Sequence, residues 1–381
     1  MFRPLDEKMM SRAIALATRG DRAHPNPRVG CVIARGNRVV GEGAHASFGG
    51  PHAEAVALRR AGSRARGATM YVTLEPCPHW GKTPPCAAAV ARAGVNRVVA
   101  ATPDPSRRLA GRGLALLRRA GARVETGLLA RRAEALNPGF FRRQRAGRPH
   151  VILKMAQTLD GKIASRTGAS RWITGPRARG MVHRLRAASD AVLVGAETVR
   201  RDNPLLTAHG AGPDPVRVVL SSSLKLSAAS KVFGPEAPAW VLAPQGAAPL
   251  KIRALEKAGV QVIRVPGGGK DVDLHQALLA LGRRGITQLL VEGGGNVAAC
   301  FLSAGLVDEV YLFVAPFFLG GKNALTSIEG TGWATPAQGL RLKNAKITRL
   351  GEDWLMHGFL VTGHPPSSGP LGHLPPRGEG K

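Results

Sequence analysis

The stretch YVTLEPCPHWGKTPPC, residues 71–86, decides the fold of the first half, read together with GGPHAEAVAL at residues 49–58. Residues 71–86 hold two of the chain's four cysteines, with eight residues between them and four prolines around them. An apolar run, ATMYVTL, enters the stretch as a strand, and a helix opens at Pro84-Pro85-Cys86. His52, Cys77 and Cys86 together offer one imidazole and two thiolates. Zinc binds such a set tetrahedrally while keeping a position for water. Each cysteine is expected near a helix N-terminus, where free N–H groups and the helix dipole favour a thiolate. Pro76 and the Pro84-Pro85 pair suit a first helical turn, because the missing N–H loses nothing there.

Glu54 follows His52 by two residues. At that spacing it cannot easily share the metal vertex of His52, but it can reach a water whose pKa zinc lowers from about 15.7 toward about 7. It would take that water's proton, deliver it to a ring nitrogen and later protonate departing ammonia. His-x-Glu with a following Pro-Cys is the signature of deamination of a nucleobase-type ring. A lone cysteine is usually a small buried hydrophobe, and Cys31 and Cys300, without ligand company, fit that description. A structural zinc would need a fourth ligand, for which His79 is the candidate. The ordered occurrence of His-Ala-Glu, Pro-Cys and Pro-Pro-Cys favours the catalytic site.

Working outward, 381 residues suggest two domains. A helix over 6–19 is followed by a hairpin in VGCVIARGNRVVGEG, turning near Gly36-Asn37. Helices at 52–61, 86–93 and 113–120 then alternate with strands in ATMYVTL, VNRVVAA and ARVETG, an α/β layer sandwich in outline. The run FFRRQRAGRPH reads as a basic connector, after which strands restart at VILKMA. The expected units are residues 1–147 and 148–362, with a Pro/Gly/Ser-rich disordered tail at 363–381. The two halves do not resemble each other, so the boundary joins different activities.

Composition narrows the field. Hydrophobic residues make up 44% of the chain, enough for globular folding, and the longest apolar run, VYLFVAPFFLG, is about half the ~20 residues a bilayer needs. The N-terminus lacks the apolar stretch of a signal peptide, and four cysteines in so long a chain are not a disulfide framework, so a cytoplasmic setting is expected. The net charge of +29 raises nucleic acid as a partner, but the arginines are spread singly and in pairs, and aromatics at 4% are few for stacking on bases.

In the second half, QLLVEGGGNVAACFLSAG at residues 288–305 reads as strand, triple-glycine turn and helix. It is either a phosphate or dinucleotide cradle at a helix N-terminus or a tight helix–sheet contact. It lacks the G-x-G-x-x-G pattern of a Rossmann site.

The spacing of the two cysteines departs from the two-residue gap of cytidine and tRNA-adenosine deaminases. The long PCxxxGxTPPC loop, HPNPRVGCVI, EGAHASFGGPHAE and DPSRRLAGRGLALLRRAG resemble the bifunctional riboflavin-biosynthesis deaminase–reductases. So do LKMAQTLDGKIA, SRWITGPRAR, DAVLVGAETVRRDNPLLT and VEGGGNVAACFLSAGLVDEVYLFVAP in the second half. The resemblance implies a cytidine-deaminase-like three-layer sandwich joined to a dihydrofolate-reductase-like α/β domain, with zinc and NADPH as cofactors. It implies hydrolytic deamination of 2,5-diamino-6-(ribosylamino)-4(3H)-pyrimidinone 5'-phosphate, then reduction of the ribosyl to the ribityl side chain. Asn26, His45, His79 and Lys82 would line the first pocket. Ala156, Trp172, Thr198, Asp202, Ser222 and the run Gly294, Gly295, Asn296, Val297, Ala298, Ala299 and Cys300 would hold the cofactor. Lys154, Ser170, Arg186, Leu206 and Glu292 would face the second substrate, with Lys154 and Glu292 polarising the reacting group or carrying a proton.

At one place the sequence departs from the family. Where the family often reads L-T-x-R after D-N-P, this chain carries His209, which lacks the bidentate fork of arginine and is only part-charged near neutral pH. Arg186 would then hold the substrate phosphate largely alone, or another basic residue would compensate. The resemblance also implies a homo-oligomer acting on a small phosphorylated pyrimidine, with no nucleic acid and no membrane as partner. The main alternative is a nucleic-acid base deaminase with a C-terminal binding domain, which the long Cys–Cys loop argues against. A non-catalytic zinc or nucleotide sensor would have no need of Glu54.

Overall fold

The computed structural model describes residues 2–20, 23–267 and 269–360, so the expected tail lies outside the described residues. The chain divides into Met1–Gly147 and Arg148–Lys381. The first unit runs α1 Pro4–Ala17, β1 Gly30–Arg35, β2 Arg38–Ala44, α2 Ala53–Ala61, β3 Thr69–Val72, α3 Cys86–Arg92, β4 Arg97–Ala100, α4 Arg112–Arg119, β5 Arg123–Thr126, α5 Ala130–Glu134 and α6 Pro138–Ala146. Its sheet has the order β2-β1-β3-β4-β5. β1 is antiparallel to both neighbours, whereas β3, β4 and β5 are parallel.

The central strands are apolar on both faces, which is why they read as unbroken hydrophobic runs rather than alternating ones. Cys31, Ile33, Met70, Val72, Val98 and Ala100 pack under α2, α3 and α4. Val32, Ala34, Tyr71 and Val99 pack against α1 and α5. The result is the three-layer sandwich the resemblance implies.

Helix α2 lies unusually close to β2, and the sequence explains how. Ala53, Ala57 and Ala61 recur every fourth residue and present a flat stripe. Opposite them stand Gly41 and Gly43, where a Cβ would come within 2.3 Å of the Ala57 carbonyl oxygen and 2.4 Å of that of Ala53. This close seat fixes the start of α2, and with it His52 and Glu54.

FFRRQRAGRPH is not a connector. Asn137 and Pro138 start helix α6, whose Phe141 is buried in the first unit's core while Gln144 and Arg145 are exposed. The side chain of Asn137 accepts from the Arg28 N–H at 2.7 Å and donates to the Arg28 carbonyl at 2.9 Å, tying α6 to the segment before β1. The charge run concealed a helix that buries little more than one aromatic ring.

The second unit runs β6 His150–Thr158, α7 Pro176–Ala187, β7 Ala191–Gly195, α8 Ala196–Asp202, β8 Val216–Leu220, β9 Ala239–Pro244, α9 Pro249–Lys257, β10 Gln261–Val265, α10 Leu274–Arg283, β11 Gln288–Val291, α11 Gly295–Ser303, β12 Glu309–Ala315, β13 Leu342–Leu350 and β14 Asp353–Leu360. Its sheet has the order β10-β9-β8-β7-β11-β6-β12-β14-β13, parallel except at the last two strands. One face packs on α10 and α11, the other on α7, α8 and α9. In such sheets ligands sit beyond the carboxyl ends of the strands, and this is where the second unit opens.

Candidate active sites

In the first unit, His52 is the N-cap of α2, and Glu54 stands in its first turn, only 3% exposed. Cys86 opens α3. Cys77, in contrast, lies in a loop and not at the start of a helix of its own, and Pro76 begins no helix. The chain achieves the expected end differently: the Cys77 sulfur accepts the backbone N–H of Cys86 at 3.3 Å, so both sulfurs gather at the opening of α3. His52 Nδ1 lies 3.6 Å from the Cys77 Sγ and 3.3 Å from the Cys86 Sγ. The three donor atoms fall within 4.8 Å of one another. One nitrogen and two sulfurs so placed fit a single tetrahedral zinc with a position left open.

The other nitrogen of His52 lies 3.2 Å from the Thr83 Oγ1, which fixes the ring with Nδ1 toward the sulfurs. Thr83 was not anticipated, although it sits inside the quoted loop. The Cys77 thiol is drawn down to about 4, chiefly by its contact with Cys86 and against the cost of burial. Burial pushes the Glu54 carboxyl up to about 7, with the attraction of His52 only partly opposing it.

These groups border a cavity of about 290 Å³, lined also by Asn26, His45, His79 and Lys82. His45 Nδ1 lies 3.1 Å from the Pro51 carbonyl, which can only accept, so Nε2 must accept from the Asn26 Nδ2 at 3.1 Å. Burial holds His45 below the usual imidazole range, in keeping with that neutral tautomer. Lys82 places its ammonium 3.9 Å over the Phe48 ring. His79 is exposed at the mouth and lies outside the metal-binding cluster. Cys31 and Cys300 are buried and lie outside the metal-binding cluster. Sequence reading missed Asp104 and Ser106 in the wall, and Phe140 and Gln144 from α6. Nearby Glu75, which is buried, accepts the backbone N–H groups of Asp104, Gly111, Gly113 and Leu114 and so pins the loop that carries Asp104 and Ser106.

Two of the second unit's cavities, of about 700 and about 540 Å³, share Ser170, Thr198, Asp202 and Gly294 in their walls. The larger holds Lys154, Ala156, Trp172, Arg186, Leu206, His209 and Glu292. The smaller holds Ser222, Gly295, Asn296 and Val297. Ala298, Ala299 and Cys300 border neither, and Ala298 and Cys300 face the core under α11.

Both readings of the triple glycine have a place. A Cβ on Gly295 would meet the Thr326 carbonyl at 2.4 Å, and one on Gly293 the Val297 side chain at 2.7 Å. Those two allow tight packing. Gly294 faces the cavities, with only the Thr198 hydroxyl at 3.8 Å from its missing Cβ. Close by, the Ser222 hydroxyl is buried without a hydrogen-bond partner among the described residues. A ligand rich in acceptors, such as a dinucleotide, supplies what that hydroxyl lacks.

Arg186 is also engaged by the protein itself. Its Nε and Nη2 donate to the two carboxylate oxygens of Glu292 at 2.6 and 3.0 Å, and its Nη1 to the Thr207 carbonyl at 3.0 Å. Lys154 approaches the same carboxylate at 3.8 Å. Burial alone would push Glu292 up, but Arg186 and Lys154 outweigh it and hold the carboxyl at about 2. Burial lowers Lys154 from its ordinary value, and Arg186 adds to this while Glu292 opposes it.

The cytidine and deoxycytidylate deaminase zinc-binding region matches residues 3–102, and the RibD C-terminal domain matches residues 149–356. The riboflavin biosynthesis protein RibD of Escherichia coli (strain K12) is 40% identical over 368 residues, covering 92% of this chain and 98% of that protein. That of Bacillus amyloliquefaciens is 40% identical over 353 residues, covering 92% and 95%. Among solved structures, Acinetobacter baumannii RibD is 38% identical with a TM-score of 0.83, covering 94% of this chain and 99% of that one. The diaminohydroxyphosphoribosylaminopyrimidine deaminase/5-amino-6-(5-phosphoribosylamino)uracil reductase of Thermotoga maritima is 36% identical with a TM-score of 0.79, over the same shares. No helix among the described residues is long and apolar enough to cross a membrane.

Proposed function

The chain belongs to the family of bifunctional riboflavin-biosynthesis deaminase–reductases, and from that premise we propose how its two sites divide the work. It is a zinc-dependent deaminase joined to an NADPH-dependent reductase. Residues 1–147 carry the first activity and residues 148–362 the second. The observation that carries the deaminase assignment is the convergence of His52 Nδ1, Cys77 Sγ and Cys86 Sγ within 4.8 Å beside buried Glu54.

His52, Cys77 and Cys86 would hold the zinc, which when bound would bring the pKa of a water toward about 7. Glu54 accepts the proton that this water gives up and passes it to the pyrimidine ring nitrogen. It then returns a proton to the leaving amine, so that water and the aminopyrimidine become the oxopyrimidine and ammonia. A carboxyl near 7 is suited to both directions of transfer. Asn26 and His45, locked to each other, present a fixed polar edge to the ring. Lys82 and His79 at the mouth meet the phosphorylated ribose.

In the second unit, Ser222, Thr198, Asp202 and the Gly294–Val297 turn would hold NADPH, whose nicotinamide would supply hydride. Lys154, in the wall of the larger cavity, would neutralise with its ammonium the charge that hydride addition leaves. Glu292, itself anchored by Arg186, keeps Lys154 in place. The substrate is a small phosphorylated ribosylaminopyrimidine rather than a nucleic acid, and the enzyme works as a cytoplasmic homo-oligomer. The test is turnover of the diaminopyrimidine ribosyl phosphate with and without NADPH, alongside metal analysis. Ammonia release without NADPH, and NADPH oxidation only after deamination, are expected. Ammonia release by metal-free protein would overturn the zinc assignment.

A further inference from the structure

One wall of the deaminase cavity comes from a segment that carries neither a metal ligand nor the proton carrier. Residues 104–111 run between β4 and α4, and Asp104, Ser106 and Leu109 of this loop line the cavity. Arg107 and Arg108 lie exposed on the same loop. The Asp104 carboxylate accepts the Ser106 N–H at 2.8 Å, and the N–H groups of Leu109 and Ala110 donate to the Ser106 carbonyl at 3.0 and 2.9 Å.

A buried side chain ties this loop to the strand end that leads to Cys77. Glu75 stands just beyond β3, two residues before Cys77, and its own N–H donates to the Thr102 carbonyl at 2.9 Å. Its Oε2 accepts the N–H groups of Asp104 and Gly111, each at 2.9 Å, so a single oxygen closes both ends of the loop. Its Oε1 accepts those of Gly113 and Leu114, at 2.8 and 3.2 Å, in the first turn of α4. N–H groups in a first turn have no partner within the helix, and the helix dipole there favours negative charge. The start of α4 can come this near because Gly113 has no side chain: a Cβ there would lie 2.0 Å from the Pro76 carbonyl oxygen. Gly111 turns with φ at +77°, a conformation that disfavours any residue with a Cβ.

Each carboxylate oxygen has room for two donors, and here backbone N–H groups take both places on each. An amide at this position has only one such oxygen. Its NH2 group would face a pair of backbone donors, and that pair would have to move away. We propose that Glu75 is a positioning residue for deamination: its carboxylate holds the loop 104–111 in register with the segment that carries Cys77, and this clasp sets the affinity for the pyrimidine substrate. The proposal rests on the deaminase reading above and deepens it. His52, Glu54 and Cys86 are placed by α2 and α3, and Cys77 by its contact with the Cys86 N–H, whereas the loop is placed by Glu75. Opening the clasp therefore raises KM and leaves kcat and the metal site as they are.

Glu75→Gln in the full-length enzyme tests this. The KM for the diaminopyrimidine ribosyl phosphate, followed by ammonia release, should rise about tenfold, while kcat stays within about threefold and zinc content at the wild-type level. Brief digestion with trypsin should cut after Arg107 or Arg108 about tenfold faster than in the wild type, because the arginines then sit on a freed loop. Gly111→Ala loosens the same clasp from the loop side and should raise KM about threefold. The double variant should show no more than the larger of the two effects. If Glu75→Gln does not yield folded protein, Gly111→Ala decides by its KM and by its cleavage at the same arginines. A KM within about twofold of the wild type, a loss carried by kcat or by zinc content instead, unchanged cleavage at Arg107 and Arg108, or effects that add in the double variant would each overturn the proposal. No ammonia release by the wild-type enzyme would instead overturn the deaminase reading, and the cleavage rates would still decide the clasp.

Discussion

Glu54 and Glu292 are both glutamates taken out of water, one in each unit, and their surroundings send them in opposite directions. Glu54 sits at about 7 and Glu292 at about 2. The difference lies in company rather than depth. At Glu54 burial dominates, Cys77 adds to it, and a backbone hydrogen bond, His52 and Cys86 oppose it only in part. Glu292 is gripped by a bidentate guanidinium and approached by an ammonium, and together they override the same burial cost. A group that must pick up and release protons near neutral pH needs the first setting. A group that must hold a lysine and an arginine in place needs the second.

The largest effect that could break this comparison is in the first unit. Glu54→Gln removes the proton carrier but no metal ligand, so ammonia release should fall by about a thousandfold or more while zinc content stays at the wild-type level. Substantial deamination by that variant would show that the carboxyl is not the carrier. In the second unit, Glu292→Gln leaves Arg186 and Lys154 without their counter-charge. NADPH oxidation should drop by about a hundredfold, and stability should fall by about 3 kcal/mol at neutral pH. Because the folded carboxyl is depressed, its stabilisation is present above about pH 4.5 and disappears as the pH falls toward about 2. The gap between wild-type and variant unfolding should therefore close over that acidic window, and a constant gap would contradict the ionised anchor.

Smaller effects sharpen the picture. Thr83→Val removes the partner of the outer nitrogen of His52 and should weaken zinc about tenfold in a chelator competition, with Glu54 untouched. Ser222→Ala should raise the KM for NADPH about fivefold while leaving the melting temperature unchanged or slightly higher, because the hydroxyl has no protein partner to lose. A clear loss of stability there would mean that the hydroxyl serves the fold and not the cofactor.

Much of this was legible in the residues, and the failures have physical causes. Unbroken apolar runs located the central strands because a strand buried on both faces is written locally, residue by residue. α6 was missed because its face toward the core is little more than Phe141, and the arginines around it mimic a linker. Cys77 was expected at a helix start of its own; the chain instead folds its sulfur back onto the N–H of Cys86, a contact that spans the loop and leaves no local mark. That Arg186, read as facing the substrate, also grips Glu292 more than a hundred residues away has no mark in the local sequence. The motif names the run 294–300, but along α11 the side chains of Ala298 and Cys300 turn into the core, which depends on how the helix seats on the sheet.

The amino-acid order by itself determined the ligand types, the carboxylate beside them, the two-unit division and the family, because those depend on which groups are present and at what spacing along the chain. Only the tertiary structure decided which cations meet at Glu292, which hydroxyl is left wanting and which loop a single carboxylate holds. Those outcomes depend on distances between segments remote in sequence, and on a low-dielectric surrounding that exists only once the core has closed around them.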